Sequence, residues 1–232
     1  MASDPNTPNK SGKPGAAPGD PIVIGLLEAY AAGVFPMSHG AGGPIGWYDP
    51  DPRGIIPLDQ GALRVPRSLR SKVRSRRFRI TTDEAFDRVI RACAAPRAGQ
   101  TGDEGWIDER IVDAYTRLHV AGHAHSVEAW LVDGNARRLV GGLYGVHLRG
   151  LFAGESMFSR PDLGGTDASK VCLVWLWHHL RAHGFTLLDT QFMTDHLRSL
   201  GGIEIAREAY HDRLATALRT ETAWLPFRTP EV

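Results

Sequence analysis

Residues 139–160 read LVGGLYGVHLRGLFAGESMFSR, and this glycine-punctuated stretch organises the rest of the chain. It predicts two apolar strands, Leu139–His147 and Leu151–Ser159, which are joined as a hairpin at residues 148–150. Glycines interrupt the β-prone run at positions 141, 142, 145, 150 and 154. Glycine inside a strand often marks a place where another backbone or a ligand approaches closely. The hairpin is therefore either the wall of a binding cleft or a buried strand pair, and at this point both interpretations stay open.

Polar side chains interrupt the apolar pattern of this hairpin at Glu155 and Ser156. A buried carboxylate or hydroxyl needs a hydrogen-bonding partner, because burying it unpaired is unfavourable. Farther along the chain, Phe185–Gln191 predicts a strand whose apolar residues give way to Asp189 and Gln191. Side chains two residues apart in a strand point the same way, so we expect both on one face. The strand end is also where the sites of open sheets tend to lie, which makes these polar residues candidate site residues.

The composition is that of an ordinary soluble globular protein, with 232 residues, 42% hydrophobic residues and a net charge of +1. The two cysteines, Cys93 and Cys172, lie in apolar patterns, which favours buried thiols in a reducing compartment over a disulfide framework or a zinc site. No apolar run reaches the ~18 residues of a membrane-spanning helix. The N-terminus also lacks the basic-then-apolar order of a secretory signal, so we expect a cytoplasmic protein.

A strongly basic segment is hidden by the small net charge. Residues 64–79 carry eight Lys or Arg residues and no acid, whereas the rest of the chain carries 19 basic against 26 acidic residues. Clustered guanidinium groups favour phosphate contacts whose affinity falls with salt. The segment therefore predicts contact with nucleic acid, and a solvated basic face is the alternative.

The remaining pattern predicts an α+β (mixed α/β) fold. We expect residues 1–20 to be a disordered tail, because they are rich in Pro, Gly, Ser and Asn. We expect residues 47–53 (WYDPDPR) to be irregular, because each proline restricts itself and its predecessor. Thr82 is the expected N-cap of its helix. The expected helices are Pro21–Gly33, Thr82–Ala94, Ile111–His119, Ser169–His183, Thr194–Leu200 and Tyr210–Leu218, and the further strands are Ser126–Val132 and Ile203–Ile205.

Several common chemistry motifs are absent from the sequence. It contains no GxxxxGK[ST] phosphate loop and no GxGxxG dinucleotide loop. Residues 154–158 (GESMF) begin like a nucleophile elbow, but Phe158 stands where the second glycine is required. His119, His123 and His125 lack the spacing of metal ligands, so we expect no metal site and interpret them as hydrogen-bonded histidines.

Ten sequence blocks together resemble one family, the leucyl/phenylalanyl-tRNA–protein transferases. The match is nearly collinear from Leu26 to Tyr210, which makes it far more specific than any single block. The blocks are residues 29–30 (AY), 33–36 (GVFP), 47–53 (WYDPDPR), 106–107 (WI), 122–128 (GHAHSVE), 139–146 (LVGGLYGV), 152–160 (FAGESMFSR), 168–170 (ASK), 189–191 (DTQ) and 196–201 (HLRSLG).

The resemblance implies an aminoacyltransferase that moves Leu or Phe, with Met left open, from aminoacyl-tRNA to the N-terminal Arg or Lys of acceptor proteins. The product is then marked for degradation by the N-end rule. The implied fold is a small N-terminal domain, residues 21–62, followed by a larger domain, residues 63–227, that is similar to the Gcn5-related N-acetyltransferases. No cofactor is implied, because the ester of aminoacyl-tRNA is already activated. The implied partners are aminoacyl-tRNA and acceptor proteins, with no membrane, and we expect a monomer.

The resemblance also implies roles for particular residues. The Gln191 side-chain carbonyl, held by Asp189, would accept a proton from the attacking α-amine, which makes these two the catalytic residues. Glu155 would hold either the ammonium of the aminoacyl group or the basic side chain of the acceptor. The other implied substrate contacts are Leu143, Tyr144, Phe152, Ser156, Met157 and Trp106. The implied tRNA contacts are Arg67, Arg70, Lys72, Arg74, Arg76 and Arg77.

The chain departs from the family pattern at a few places. Met37 and Tyr48 stand where the family usually has tryptophan, and residues 164–167 (GGTD) are an insertion. Two other functions remain as alternatives. An acyl-CoA-dependent N-acetyltransferase would need a pyrophosphate loop, which residues 138–143 fit poorly because Leu143 fills its last position. A non-catalytic RNA-binding module would use only the basic segment.

Overall fold

The computed structural model describes residues 19–40, 42–96, 105–134 and 136–227. The helices are α1 (Pro21–Ala31), α2 (Arg67–Arg74), α3 (Phe86–Ala94), α4 (Glu109–Val120), α5 (Ala168–Ala182), α6 (Asp195–Ser199) and α7 (Arg207–Arg219). The strands are β1 (Phe35–Ser38), β2 (Ile45–Tyr48), β3 (Arg53–Ile55), β4 (Arg79–Thr82), β5 (Ala124–Asp133), β6 (Ala136–Leu148), β7 (Leu151–Ser159), β8 (Leu187–Gln191) and β9 (Ile203–Ile205). The predicted mixed α+β class is confirmed, and the likeness to acetyltransferases stays a prediction.

One sheet of seven strands carries the fold, in the order β4-β5-β6-β7-β8-β3-β9. The pairings are antiparallel except that between β7 and β8, which is parallel. The predicted hairpin is confirmed as β6 and β7 at the centre of this sheet. Helix α5 packs on one face with Phe152 and Leu188, and α1, α3, α4 and α7 contribute to the apolar cluster on the other. The described helices contain no stretch that is long and apolar enough to cross a membrane.

A β-bulge in β7 places Glu155. Tyr144 pairs with Ser156, whereas the next residue, Gly145, pairs with Gly154, so Glu155 is an extra residue without a partner on β6. A bulge bends the strand and re-aims the side chains that follow it. The packing of the apolar residues shows this change of direction. Phe152 and Met157 are five positions apart, yet both pack with the same apolar cluster. An unbroken strand would have placed them on opposite faces.

At Gly145 the predicted close approach is made by the protein itself, whereas Gly154 has open space beside it. A Cβ at Gly145 would lie 2.3 Å from the carbonyl oxygen of Ala153. A Cβ at Gly154 would come no closer than 3.6 Å to the carbonyl oxygen of Asp189. The hairpin is therefore tightly packed along most of its length, with room beside the bulge.

Two expectations for the first half of the chain are wrong. Thr82 is not a helix N-cap but the last residue of β4, which the sequence pattern missed, and α3 begins at Phe86. Residues 47–53 are not wholly irregular, because β2 runs to Tyr48 and β3 begins at Arg53. Strand pairing to β1 and β8 supplies the hydrogen bonds that local proline restrictions did not reveal.

The other predicted helices and strands are present, with ends shifted by a few residues. Residues 1–18 of the expected tail lie outside the described residues, and Asp20 caps α1 by accepting from the backbone of Ile22. The boundary between residues 62 and 63 stays a prediction. Strand β3, which precedes that boundary, pairs with β8 and β9 of the large sheet.

Candidate active site

A cavity of about 470 Å³ opens beside the bulge, between the β7–β8 edge and α5. Strands β6, β7 and β8 supply its sheet side, and Leu173 and Leu176 of α5 close the opposite side. Its lining is mostly apolar, and the polar groups are few, as in sites that bind a small ligand group. The further apolar lining residues are Phe35, Met37, Trp106, Leu143, Met157, Leu188, Phe192 and Leu197.

The structure brings most of the predicted site residues to this cavity. Those that line it are Trp106, Leu143, Tyr144, Glu155, Ser156, Met157 and Gln191. Phe152 is not among them: it is fully buried within the α5 cluster, and its ring stacks on Trp224 at 5.5 Å. Met157 belongs to the same cluster but follows the bulge, and it lines the cavity.

Asp189 lies behind the cavity wall rather than in it. It is fully buried, and its carboxylate forms a bidentate ion pair with Arg53, with Nε–Oδ1 at 3.0 Å and Nη2–Oδ2 at 2.7 Å. Tyr210 donates to the same carboxylate at 3.0 Å, and Arg53 donates its third nitrogen to the carbonyl of Gly33 at 2.9 Å. Burial disfavours the Arg53 charge, but the Asp189 hydrogen bonds hold the pKa of Arg53 above its ordinary value. Both charges are therefore compensated by short, well-aligned partners, as a buried pair requires.

Gln191 connects this ion pair to the cavity. Its backbone N–H donates to Asp189 Oδ1 at 2.9 Å, which holds the residue at a φ of +57°, a left-handed conformation that is rare outside glycine. Its side-chain Nε2 donates to Glu155 Oε1 at 3.2 Å. The sequence-based hypothesis that Asp189 holds the Gln191 side chain is therefore corrected: Asp189 fixes the backbone, and Glu155 accepts from the amide. In the described part of the chain, no donor reaches Gln191 Oε1, which leaves this oxygen able to accept a hydrogen from a ligand.

Two tyrosine hydroxyls also meet Glu155. Tyr30 of α1 contacts Oε1 at 2.7 Å, and Tyr115 of α4 contacts Oε2 at 3.1 Å. Removal from bulk water raises the pKa of Glu155 to about 8, and the charge of Asp189 adds to the rise. Hydrogen bonds from the tyrosines and the charge of Arg53 oppose it. Glu155 is thus a carboxyl group whose surroundings disfavour its ionised form.

Some side chains of the basic segment are exposed to solvent, and others contact the inserted loop, residues 164–167. Arg67, Arg70 and Arg74 of α2 are exposed and, with Ser71 and Ser75, line an open groove. Arg76 is also exposed. Lys72 instead pairs with Asp167 of the insertion, and Arg77 donates to the carbonyl of Gly164 at 3.1 Å.

The insertion also links the basic segment to the cavity. Asp167 pairs with Lys170 at 2.9 Å as well as with Lys72. Partial burial and the positive charge of Lys170 lower the pKa of His196, which lines the cavity. Lys72 of the basic segment is thus joined through Asp167 to Lys170, whose charge acts on a residue of the cavity.

Two of the three histidines that the sequence drew attention to form side-chain hydrogen bonds within the protein, and for His123 this interpretation stays a prediction. His119 Nδ1 lies 2.8 Å from the carbonyl of Ala124, and His125 Nδ1 lies 2.9 Å from Asp83 Oδ2. Among the residues that the structure describes, no group of three or more His, Cys, Asp or Glu side chains could hold a metal ion.

Sequence reasoning missed several residues that build the site. Arg53 and Tyr210 carry no local pattern that points to Asp189, because they are 136 and 21 residues away from it. Leu173 and Leu176 lie in the helix predicted over Ser169–His183, and the sequence pattern did not place them in the site. Met37 lines the cavity, whereas Tyr48 packs against Phe35 at 6.0 Å, so the two departures from tryptophan are placed differently.

Comparison with known proteins identifies two family models along the chain. The model for leucyl/phenylalanyl-tRNA protein transferase matches residues 55–215, and the model for its N-terminal domain matches residues 25–51. A leucyl/phenylalanyl-tRNA–protein transferase of Paramagnetospirillum magneticum is 52% identical over 200 residues, covering 86% of this chain and 90% of that protein. The proteins of the same name from Afipia carboxidovorans and Salinibacter ruber are 52% and 48% identical, over 84% and 89% of this chain and 81% and 84% of their own lengths.

We expect Arg53→Met to lower the free energy of unfolding by about 3–5 kcal/mol, because it leaves the Asp189 carboxylate buried without its counter-ion. Urea denaturation of the full chain measures the change. The matched control is Arg91→Met, whose half-exposed side chain pairs with exposed Asp87 and Glu109, and which should leave stability nearly unchanged. Equal effects of the two substitutions would contradict the importance of the buried pair.

Proposed function

The chain belongs to the leucyl/phenylalanyl-tRNA–protein transferase family and transfers aminoacyl groups to proteins, and we propose that its donors are leucyl- and phenylalanyl-tRNA. The acceptors in this proposal are proteins with N-terminal Arg or Lys, which the added residue marks for degradation by the N-end rule. We place the reaction in the cytoplasm, where charged tRNA is found, and assign it to a monomer.

The observation that carries this proposal is the hydrogen bond between Gln191 and Glu155 inside one mostly apolar cavity. Leu143, Met157 and Leu176 offer an apolar surface to the side chain of the donated amino acid. An apolar pocket discriminates by only ~1–3 kcal/mol per methylene, so one pocket can accept both Leu and Phe.

The reaction requires the acceptor α-amine to attack the ester carbonyl carbon. A C–N bond forms, the C–O bond to the tRNA ribose breaks, and the amine proton ends on the departing ribose oxygen. Gln191 Oε1 accepts a hydrogen bond from the amine and orients its lone pair; an amide oxygen is too weak a base to remove the proton outright. Orientation of the two reactants then supplies most of the acceleration. Asp189 contributes as a positioning residue, through the Gln191 backbone.

The geometry disfavours the acyl-CoA alternative. Residues 138–143, the nearest match to a pyrophosphate loop, lie inside β6, and residues 141–143 pair with β5 on one side and β7 on the other. This segment is therefore part of the sheet and does not form a loop around an anion.

The test of function mixes the protein with labelled leucyl-tRNA and a peptide that begins with Arg. We expect label at the peptide N-terminus and none on a peptide whose α-amine is acetylated. Gln191→Ala should reduce the single-turnover transfer rate by about 10²-fold, because the amine loses its orienting acceptor. The control Gln60→Ala removes an exposed glutamine and should transfer at the wild-type rate. No labelled peptide with the wild-type protein, or equal rates for both variants, would contradict the proposal.

The exposed arginines of α2 should determine how salt affects tRNA binding. Arg70→Ala combined with Arg74→Ala should weaken tRNA binding and reduce the slope of log K against log salt by about 1.4–1.8, since each lost phosphate contact removes roughly 0.7–0.9. Filter binding over a salt series measures the slope. The matched control combines Arg91→Ala with Arg117→Ala, two exposed arginines already paired with acids. If the slope changed equally in both double variants, tRNA would not bind specifically at the exposed arginines of α2.

A further inference from the structure

Three polar contacts converge on Glu155, and a fourth joins two of its partners, so that the Glu155 carboxyl group and two tyrosine hydroxyls form a closed ring of hydrogen bonds. Tyr30 Oη lies 2.7 Å from Glu155 Oε1, and Tyr115 Oη lies 3.1 Å from Glu155 Oε2. The two tyrosine hydroxyls lie 2.5 Å from each other. Gln191 Nε2 makes the remaining contact, at 3.2 Å from Oε1. All four distances are those of hydrogen bonds, and each such bond needs one proton.

An ionised Glu155 cannot supply enough protons for this arrangement. A carboxylate only accepts, each tyrosine has one hydroxyl proton, and the Gln191 amide directs one N–H to Oε1. That leaves three protons for four contacts. If both tyrosines donate to Glu155, their two oxygens face each other at 2.5 Å with no proton between them.

A protonated Glu155 supplies the fourth proton that these four contacts need. The carboxyl O–H donates from Oε2 to Tyr115, Tyr115 donates to Tyr30, and Tyr30 donates to Oε1, which also accepts from Gln191. Each hydroxyl of the ring, including that of the carboxyl group, then donates one hydrogen bond, and Oε1 accepts two with its two lone pairs. Such closed chains of hydrogen bonds polarise and strengthen one another.

Burial and the charge of Asp189 both favour the neutral form of Glu155. Burial raises the pKa of Tyr30, Tyr115 and the cavity-lining Tyr144 well above the ordinary value, so all three stay neutral. The charge of Arg53 acts in the opposite direction, but Arg53 is bound through Nε and Nη2 to the Asp189 carboxylate.

We propose that Tyr30 and Tyr115 are positioning residues that hold Glu155 as a neutral carboxylic acid, so that the amine oriented by Gln191 remains an uncharged nucleophile. This inference rests on the transfer reaction proposed above. A carboxylate 3.2 Å from the Gln191 amide would favour the ammonium form of a neighbouring amine, and an ammonium has no lone pair for attack. A free α-amine has a pKa of about 7.7–8.0, so each unit of upward shift would cut its neutral fraction about tenfold near neutral pH. Glu155 therefore keeps the cavity uncharged instead of binding a cation.

The direct test is a carbon-13 NMR titration of the full chain, labelled at the glutamate side-chain carboxyls. The Glu155 resonance is identified by its loss in Glu155→Gln, or, should that variant not fold, as the resonance moved by both Tyr30→Phe and Tyr115→Phe. We expect a protonated carboxyl at pH 7 that titrates with a midpoint of about 8, far above the ~4.3 of an ordinary glutamate. A midpoint near the ordinary value would overturn the proposal, whether or not the protein transfers amino acids.

The tyrosine variants show whether the two hydroxyls stabilise the protonated or the ionised form of Glu155. If the closed set of hydrogen bonds keeps Glu155 protonated, Tyr30→Phe or Tyr115→Phe breaks that set. The remaining donors then suffice for an ionised Glu155, so the midpoint of the Glu155 titration should fall. If the tyrosines instead serve a carboxylate, losing a donor raises the midpoint, and the proposal fails. In transfer assays, the wild-type rate should fall as pH rises through the Glu155 midpoint, and Glu155→Gln should lack that alkaline fall. The same alkaline fall in both proteins would also contradict the proposal.

Discussion

The buried ion pair between Arg53 and Asp189 sets the geometry of the cavity. Arg53 comes from β3 and Asp189 from β8, so the pair joins two neighbouring strands of the large sheet that are distant in the sequence. Two charges without access to water are stable only if their remaining donors and acceptors are also satisfied. Gly33, Tyr210 and the Gln191 backbone do this, and the last of these contacts places Gln191 in its left-handed conformation beside Glu155.

Periodicity predicted the hairpin, helix α5 and the mixed class of the fold, because each rests on a local pattern of apolar residues. It failed where pairing between distant segments decides the outcome. Strand β4 is short and forms against β5, and residues around Tyr48 and Arg53 join strands despite their prolines. Pairing with a distant strand of this kind overrides the local preference of a segment for helix, strand or loop.

The candidate site was predictable in its residue types and less so in its geometry. The sequence blocks pointed to Glu155, Asp189 and Gln191, and two of these three line the cavity. Strict alternation along β7 could not reveal that Glu155 is a bulged residue. The resemblance implied Phe152 as a substrate contact, but its ring packs on Trp224 behind the cavity. The hydroxyls of Tyr30 and Tyr115 come from two separate helices and reach Glu155 only through tertiary packing.

The most direct measurement is a crystal structure of the protein with an aminoacyl-adenosine analogue in which an amide replaces the ester of leucyl-tRNA. The leucine side chain should lie among Leu143, Met157 and Leu176, with the Gln191 side chain about 3–3.5 Å from the space an attacking amine would occupy. An analogue bound outside this cavity, or a Gln191 side chain turned away from the carbonyl with its Asp189 contact intact, would contradict the account.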